Sequence, residues 1–158
     1  MKNISAFVKD LAVSQSSFYL IKEFNRCLEN TDISASVFFE RAAIPPLTTC
    51  FACKSVAFLS GYKGAVIATT IDGADKILKT ANASSKYLYL WDLEWLEAPI
   101  FFEVAMRILR DDRLQIIARS ESHAELIENF CGKKPIGVVS DWNIDQLDEL
   151  GIIQSSNY

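Results

Sequence analysis

The sequence predicts an α/β protein, a three-layer sandwich around one mostly parallel sheet of about six strands. Three observations carry this expectation. Apolar runs of five to seven residues alternate with longer stretches of helical periodicity. The runs are apolar throughout, as strands covered on both faces of a parallel sheet are. The stretches between them are long enough for helical crossovers, the connection that parallel strands require.

Residues 4–8, Ile-Ser-Ala-Phe-Val, read as the first strand, and the polar turn from Asp10 to Ser17 follows it. Residues 16–29 place Phe18, Tyr19, Ile21, Phe24, Cys27 and Leu28 on a helical stripe that Asn30-Thr31-Asp32 ends. Residues 33–39 are a second strand. Pro45-Pro46 breaks the chain, and a helix is expected over residues 48–60, capped by Thr48 or Thr49 and closed by Gly61. Residues 64–69 form the third strand, and Thr70 and Asp72 open a helix carrying Ala74, Ile77 and Leu78.

Residues 86–91, Lys-Tyr-Leu-Tyr-Leu-Trp, are the fourth strand and stop at Asp92-Leu93-Glu94-Trp95. A helix beginning near Pro99 leads to the fifth strand at residues 113–119. The next helix starts at Ser122, where Ser-His-Ala-Glu fits a capping box, and stops at Gly132. Residues 135–139 are the sixth strand and residues 143–147 begin a short last helix. With no repeat or linker in the sequence, residues 1–153 read as one domain and residues 154–158 as a polar tail.

In open parallel sheets ligands bind beyond the carboxyl ends of the strands. Asp92, Glu94, Thr69, Ser16, Arg119, Ser120 and His123 all fall at such ends. Asp92 and Glu94 lie two apart and point to one side if the strand persists, so either can act as a general base or hold a sugar hydroxyl. Trp91 and Trp95 offer ring surfaces for stacking, or belong to the core. Ser14, Ser16 and Ser17 stand at a helix start, suited to a phosphate or a hydroxyl, and equally suited to capping. Thr69-Thr70 carries the same pair of readings. Arg119 suits an anion, and His123 is the single histidine. One histidine with scattered carboxylates makes no metal site.

The 158 residues are half hydrophobic and 23% charged, a globular balance, with a net charge of −4. No Lys/Arg run exceeds Lys133-Lys134, which argues against nucleic acid as a partner. No apolar run approaches the roughly 20 residues of a membrane span, and the N-terminus lacks the apolar core of a signal peptide. The expected location is cytoplasmic, with Cys27, Cys50, Cys53 and Cys131 as reduced thiols. Cys50-Phe51-Ala52-Cys53 at a helix start has the spacing of a redox pair, with both sulfurs on one buried helical face, yet lacks the Trp-Cys-Gly-Pro-Cys context of thioredoxin-type proteins.

The strand endings Val66-Ile67-Ala68-Thr69-Thr70, Trp91-Asp92-Leu93-Glu94 and Ile116-Ile117-Ala118-Arg119-Ser120-Glu121-Ser122, followed by the helix from Ala124 and by Pro135–Val139, resemble the acceptor-side half of two-domain, Rossmann-like glycosyltransferases. The resemblance spans about residues 64–147. It implies a Rossmann-like domain that binds a sugar or nucleotide-type ligand, with Asp92 as the catalytic base or hydroxyl ligand and Ser120 and His123 in the same crevice. It further implies a nucleotide-sugar donor held by a second domain. Two departures stand out. The turn from Asp10 to Ser17 has no glycine, and the 158 residues stop about where that second domain would begin. The expectation is therefore an acceptor-binding half, a fragment or a non-catalytic descendant. The alternative is a binding or assembly module of the same fold, as a homo-oligomer or with a partner chain.

Overall fold

A strand with no polar face has to be covered on both sides, and the chain does so with helices. The computed structural model describes residues 1–29 and 32–155. The elements are β1 (Lys2–Val8), α1 (Gln15–Arg26), β2 (Ile33–Phe39), β3 (Ala52–Ser55), a 3-10 helix (Val56–Gly61), β4 (Ala65–Ala68) and α2 (Ile71–Thr80). There follow β5 (Ser85–Leu90), α3 (Glu94–Glu97), a 3-10 turn (Pro99–Phe101), α4 (Phe102–Leu109), β6 (Leu114–Ala118), α5 (Glu121–Cys131), β7 (Gly137–Val138), α6 (Ile144–Glu149) and β8 (Gln154–Ser155).

The strands form one sheet in the order β3-β2-β1-β4-β5-β6-β7, and every neighbouring pair along it is parallel. The fold is therefore the expected α/β sandwich of Rossmann-like form, with more strands than six. From β1 the chain steps outward to β2 and β3, then returns to the other side of β1 with β4. That reversal is the topological switch point of the sheet. β8 runs antiparallel to β1, pairing Lys2 with Ser155 and Asn3 with Gln154. It fills the flank of β1 below the point where β4 begins to pair, at Ser5.

Side chains alternate across the sheet. Ile4, Ala6, Val8, Ile67, Tyr89 and Ile117 join the core under α1 and α6. Phe7, Val66, Ala68, Leu88 and Ile116 join the core under α2, α4 and α5. Helix starts are capped by hydroxyls: Ser14 accepts from the Ser17 N–H at 3.0 Å, Thr70 from Gly73 at 2.9 Å and Ser120 from His123 at 3.2 Å. Each such cap stabilises its helix by about 1 kcal/mol. Gly132 ends α5 at φ 74°, the left-handed turn that glycine makes without strain.

Five expectations are corrected. Residues 48–60 form no helix: Ala52–Ser55 pairs with β2 as an edge strand, and Val56–Gly61 is a 3-10 turn. Pairing with β2 decides the matter there, because β3 is exposed along its whole length and has no apolar face of its own. The helix expected from Pro99 arrives in pieces, starting earlier at Glu94. The cap of α5 is Ser120 and not Ser122, since β6 already ends at Ala118 and the chain turns at once. The stripe of α1 narrows, because Phe18 and Leu28 are exposed while Leu20, Ile21, Phe24 and Cys27 are buried. Gln154 and Ser155, expected in the tail, are β8; residues 156–158, like Asn30 and Thr31 at the expected end of α1, lie outside the described residues.

α1 and α6 are joined by one buried polar contact and one exposed ion pair. The Glu23 carboxylate, 8% exposed, accepts the Ile144 N–H at 3.1 Å, and Arg26 pairs with Asp145 at 2.7 Å. Trp142 is fully buried, edge-on to Tyr89 at 4.7 Å and to Phe24 at 6.1 Å. Its backbone and that of Asp141 sit at φ 60° and 49°, a region that L residues seldom enter. Packing of the indole offsets that cost. Trp142→Ala is expected to lower stability by about 3–5 kcal/mol, read as a lower midpoint in urea unfolding with little change in slope.

Candidate functional site

The switch point places the ends of β1 and β4 beside each other with α1 and α2 leaving to opposite faces. A crevice of about 470 Å³ opens there. Its floor is the end of β1, one wall is the turn from Lys9 to Ser17, and the other is Thr69, Thr70, Trp91, Asp92 and Glu94.

The long turn is folded on a side chain. Asp10 accepts the Ala12 N–H at 3.0 Å and pairs with Arg41 at 2.5 Å. The Arg41 guanidinium, and then the Ala12 N–H, hold the Asp10 carboxyl below its ordinary range. No residue of this turn takes a positive φ, so the turn has no use for glycine.

The wall residues have defined hydrogen-bonding capacity. Ser16 Oγ accepts from the Trp142 indole at 3.3 Å, which leaves its own proton to donate. Thr69 donates to the Phe7 carbonyl at 3.3 Å and keeps lone pairs free. Thr70, having accepted from Gly73, can donate. Asp92 is exposed and makes no hydrogen bond or ion pair among the described residues. Glu94 is half-buried, and its Oε2 accepts the Ile71 N–H, the first of α2, at 2.7 Å. Burial pushes the Glu94 carboxyl above its ordinary 4.5, the Ile71 N–H pulls it back, and Asp92, Asp72 and Glu97 add like-charge repulsion.

Of the residues singled out in the sequence, Ser16, Thr69, Asp92 and Glu94 line this crevice. Arg119 stands behind it, with its guanidinium 4.0 Å from the centre of the Trp91 ring and 3.4 Å from Gln15 Oε1. Ser120 and His123 sit at the start of α5 and do not line it. Trp91 and Trp95 offer no open stacking surface. Trp91 is 7% exposed, lies under Arg119 and stacks on Tyr19 at 6.0 Å. Trp95 is 2% exposed in the opposite core, against Phe130. Sequence reasoning placed Thr70 there together with Thr69, and it missed Asp10, which holds the turn through Arg41, as part of the wall. The position of Thr69-Thr70 after an apolar run was the signal used; the Arg41 pairing is long-range and left none.

Cys50 and Cys53 are exposed, and Cys53 lies in β3, so neither occupies the helix start that would lower a thiol pKa, nor a buried helical face. Cys27 and Cys131 are buried, and burial pushes the Cys27 thiol to about 11. Among the described residues no group of His, Cys, Asp and Glu gathers as a metal site, and no helix is long and apolar enough to cross a membrane. No protein-family model matches the chain, and no curated protein or solved structure matches it either.

The Glu94 environment sets a pH dependence. As pH rises from about 4.5, the unfolded chain loses this proton first while the folded protein still holds it, so stability falls through the window up to the raised folded-state value. Comparing unfolding free energies of the wild type and Glu94→Gln across pH 4–7 should show that downward component in the wild type alone.

Proposed function

We propose that the switch-point crevice binds a hydroxyl-bearing small molecule of the sugar or nucleotide type, as the acceptor-side domain of a glycosyltransferase would. Asp92 takes a ligand hydroxyl, and in a catalytic protein it would act as the base towards it. The observation that supports this reading is the exposed Asp92 carboxylate, free of partners among the described residues, opening onto a polar crevice with the Ser16 and Thr70 hydroxyls. Those groups form a matched set of one strong acceptor and two donors.

A thermal-shift series with simple sugars, nucleotides and nucleotide-sugars tests the reading. A ligand at one hundred times its dissociation constant stabilises the native state by about 2.7 kcal/mol, a readily measured rise in midpoint. Asp92→Ala should weaken that ligand by about ten-fold or more, the cost of losing a charged hydrogen-bond acceptor. No shift with any compound removes the reading.

A second reading, a binding or assembly module, draws on a different surface. Leu96, Ile100, Phe101 and Val104, on α3, the 3-10 turn and α4, are all exposed, Ile100 to 87% and Phe101 to 61%. Clustered exposed apolar residues of this kind mark contact sites. If the face mediates self-association, light scattering after size exclusion reports a dimer or larger, and Phe101→Glu returns a monomer; a wild-type monomer at all concentrations speaks against it.

A further inference from the structure

Rossmann-like folds that bind phosphate do so on free N–H groups at a helix start beside the switch point, with glycines that let the backbone come close. In this protein two of the free N–H groups at the α2 start are occupied from within. The Ile71 N–H donates to Glu94 at 2.7 Å and the Gly73 N–H to Thr70 Oγ1 at 2.9 Å. Asp72 stands on the same first turn, its carboxylate paired with Lys76 at 3.0 Å. Glu94, like Lys9 and Thr70, also borders a second, smaller cavity of about 240 Å³ between α2 and the end of β2.

Two further observations point the same way. The turn after β1 is held by Asp10 and has neither glycine nor a positive φ, so it lacks the close backbone approach that a pyrophosphate uses. The one aromatic ring on the crevice wall, Trp91, lies under Arg119 and has no open face for a base. Available in the crevice are Asp92, the exposed Lys9 and the hydroxyls of Ser16, Thr69 and Thr70.

We propose that Glu94 is a built-in counter-anion that closes the α2 end of the crevice to phosphate, so that the site selects an uncharged, hydroxyl-bearing ligand such as a neutral sugar over phosphorylated and nucleotide forms. This rests on the reading of the crevice as a ligand site and narrows it. A phosphate brought to the α2 start meets the Glu94 carboxylate, which has no ion-pair partner among the described residues, and like charges in a partly dry crevice repel strongly.

The test has two arms on the full chain. In the first, amide NMR spectra are followed while inorganic phosphate replaces chloride at constant ionic strength. The Ile71 and Gly73 amides of the wild type should stay put, and in Glu94→Gln they should move with an affinity at least about ten-fold tighter, as loss of a like charge allows. Glu94→Ala, which also removes the acceptor of the Ile71 N–H, should behave as Glu94→Gln does. Equal phosphate response in wild type and both variants overturns the role of Glu94. In the second arm neutral monosaccharides are compared with their phosphates by thermal shift. The neutral form should bind the wild type better, and Glu94→Gln should narrow the difference. A phosphate ester that binds the wild type as well as its parent sugar, at either helix start, overturns the selection. If no sugar binds in either form, the ligand reading and the selection fall together, while the phosphate arm still decides whether Glu94 guards the α2 start.

Discussion

The structure depends on one constraint: β1 has a parallel neighbour on each side. Such a strand cannot send both crossovers the same way. The chain goes to β2 by α1 on one face and comes back to β4 from the other flank, leaving by α2 on the opposite face. Two helices that diverge from adjacent strand ends leave a gap, and the crevice is that gap. Its position needs no special residue, whereas its chemistry depends on what lines it.

Both helical layers are fastened by a glutamate that caps a helix other than its own. Glu23 of α1 accepts the Ile144 N–H at the start of α6, and Glu94 of α3 accepts the Ile71 N–H at the start of α2. A carboxylate at a helix start gains from the dipole by about 0.3–1 kcal/mol when exposed, and more when partly buried. The geometry is the same and the consequence is not. Glu23 is enclosed by packed side chains and Arg26, so its work is finished within the fold. Glu94 borders open space, so the carboxyl group that bridges α3 to α2 also faces the crevice.

The layers were legible in the sequence because central strands are apolar on both faces and say so in every residue, as Ala65–Ala68 and residues 87–91 do. Edges were less legible. β3 is exposed throughout and β8 has two residues, so both exist by pairing with a neighbour and not by their own composition. The apolar spacing of residues 50–59 misled for that reason, since only Phe51 and Leu59 there are buried. At the crevice, Ser16, Thr69, Asp92 and Glu94 could be placed from strand endings alone. The side of the sheet to which Trp91 and Trp95 turn could not, because the short helix at Glu94 breaks the alternation of the strand after Trp91.

The pairing of β8 with the first residues of β1 sets Lys2 opposite Ser155 at the foot of the sheet, the end away from the crevice. Gln154 is pinned there as well, its side chain bonded to Ser84 and Ser85 at 2.9 Å. The two ends of the described chain therefore meet on the side where no ligand would enter. The pairing that closes the foot of the sheet is thus separate from the arrangement that makes the crevice.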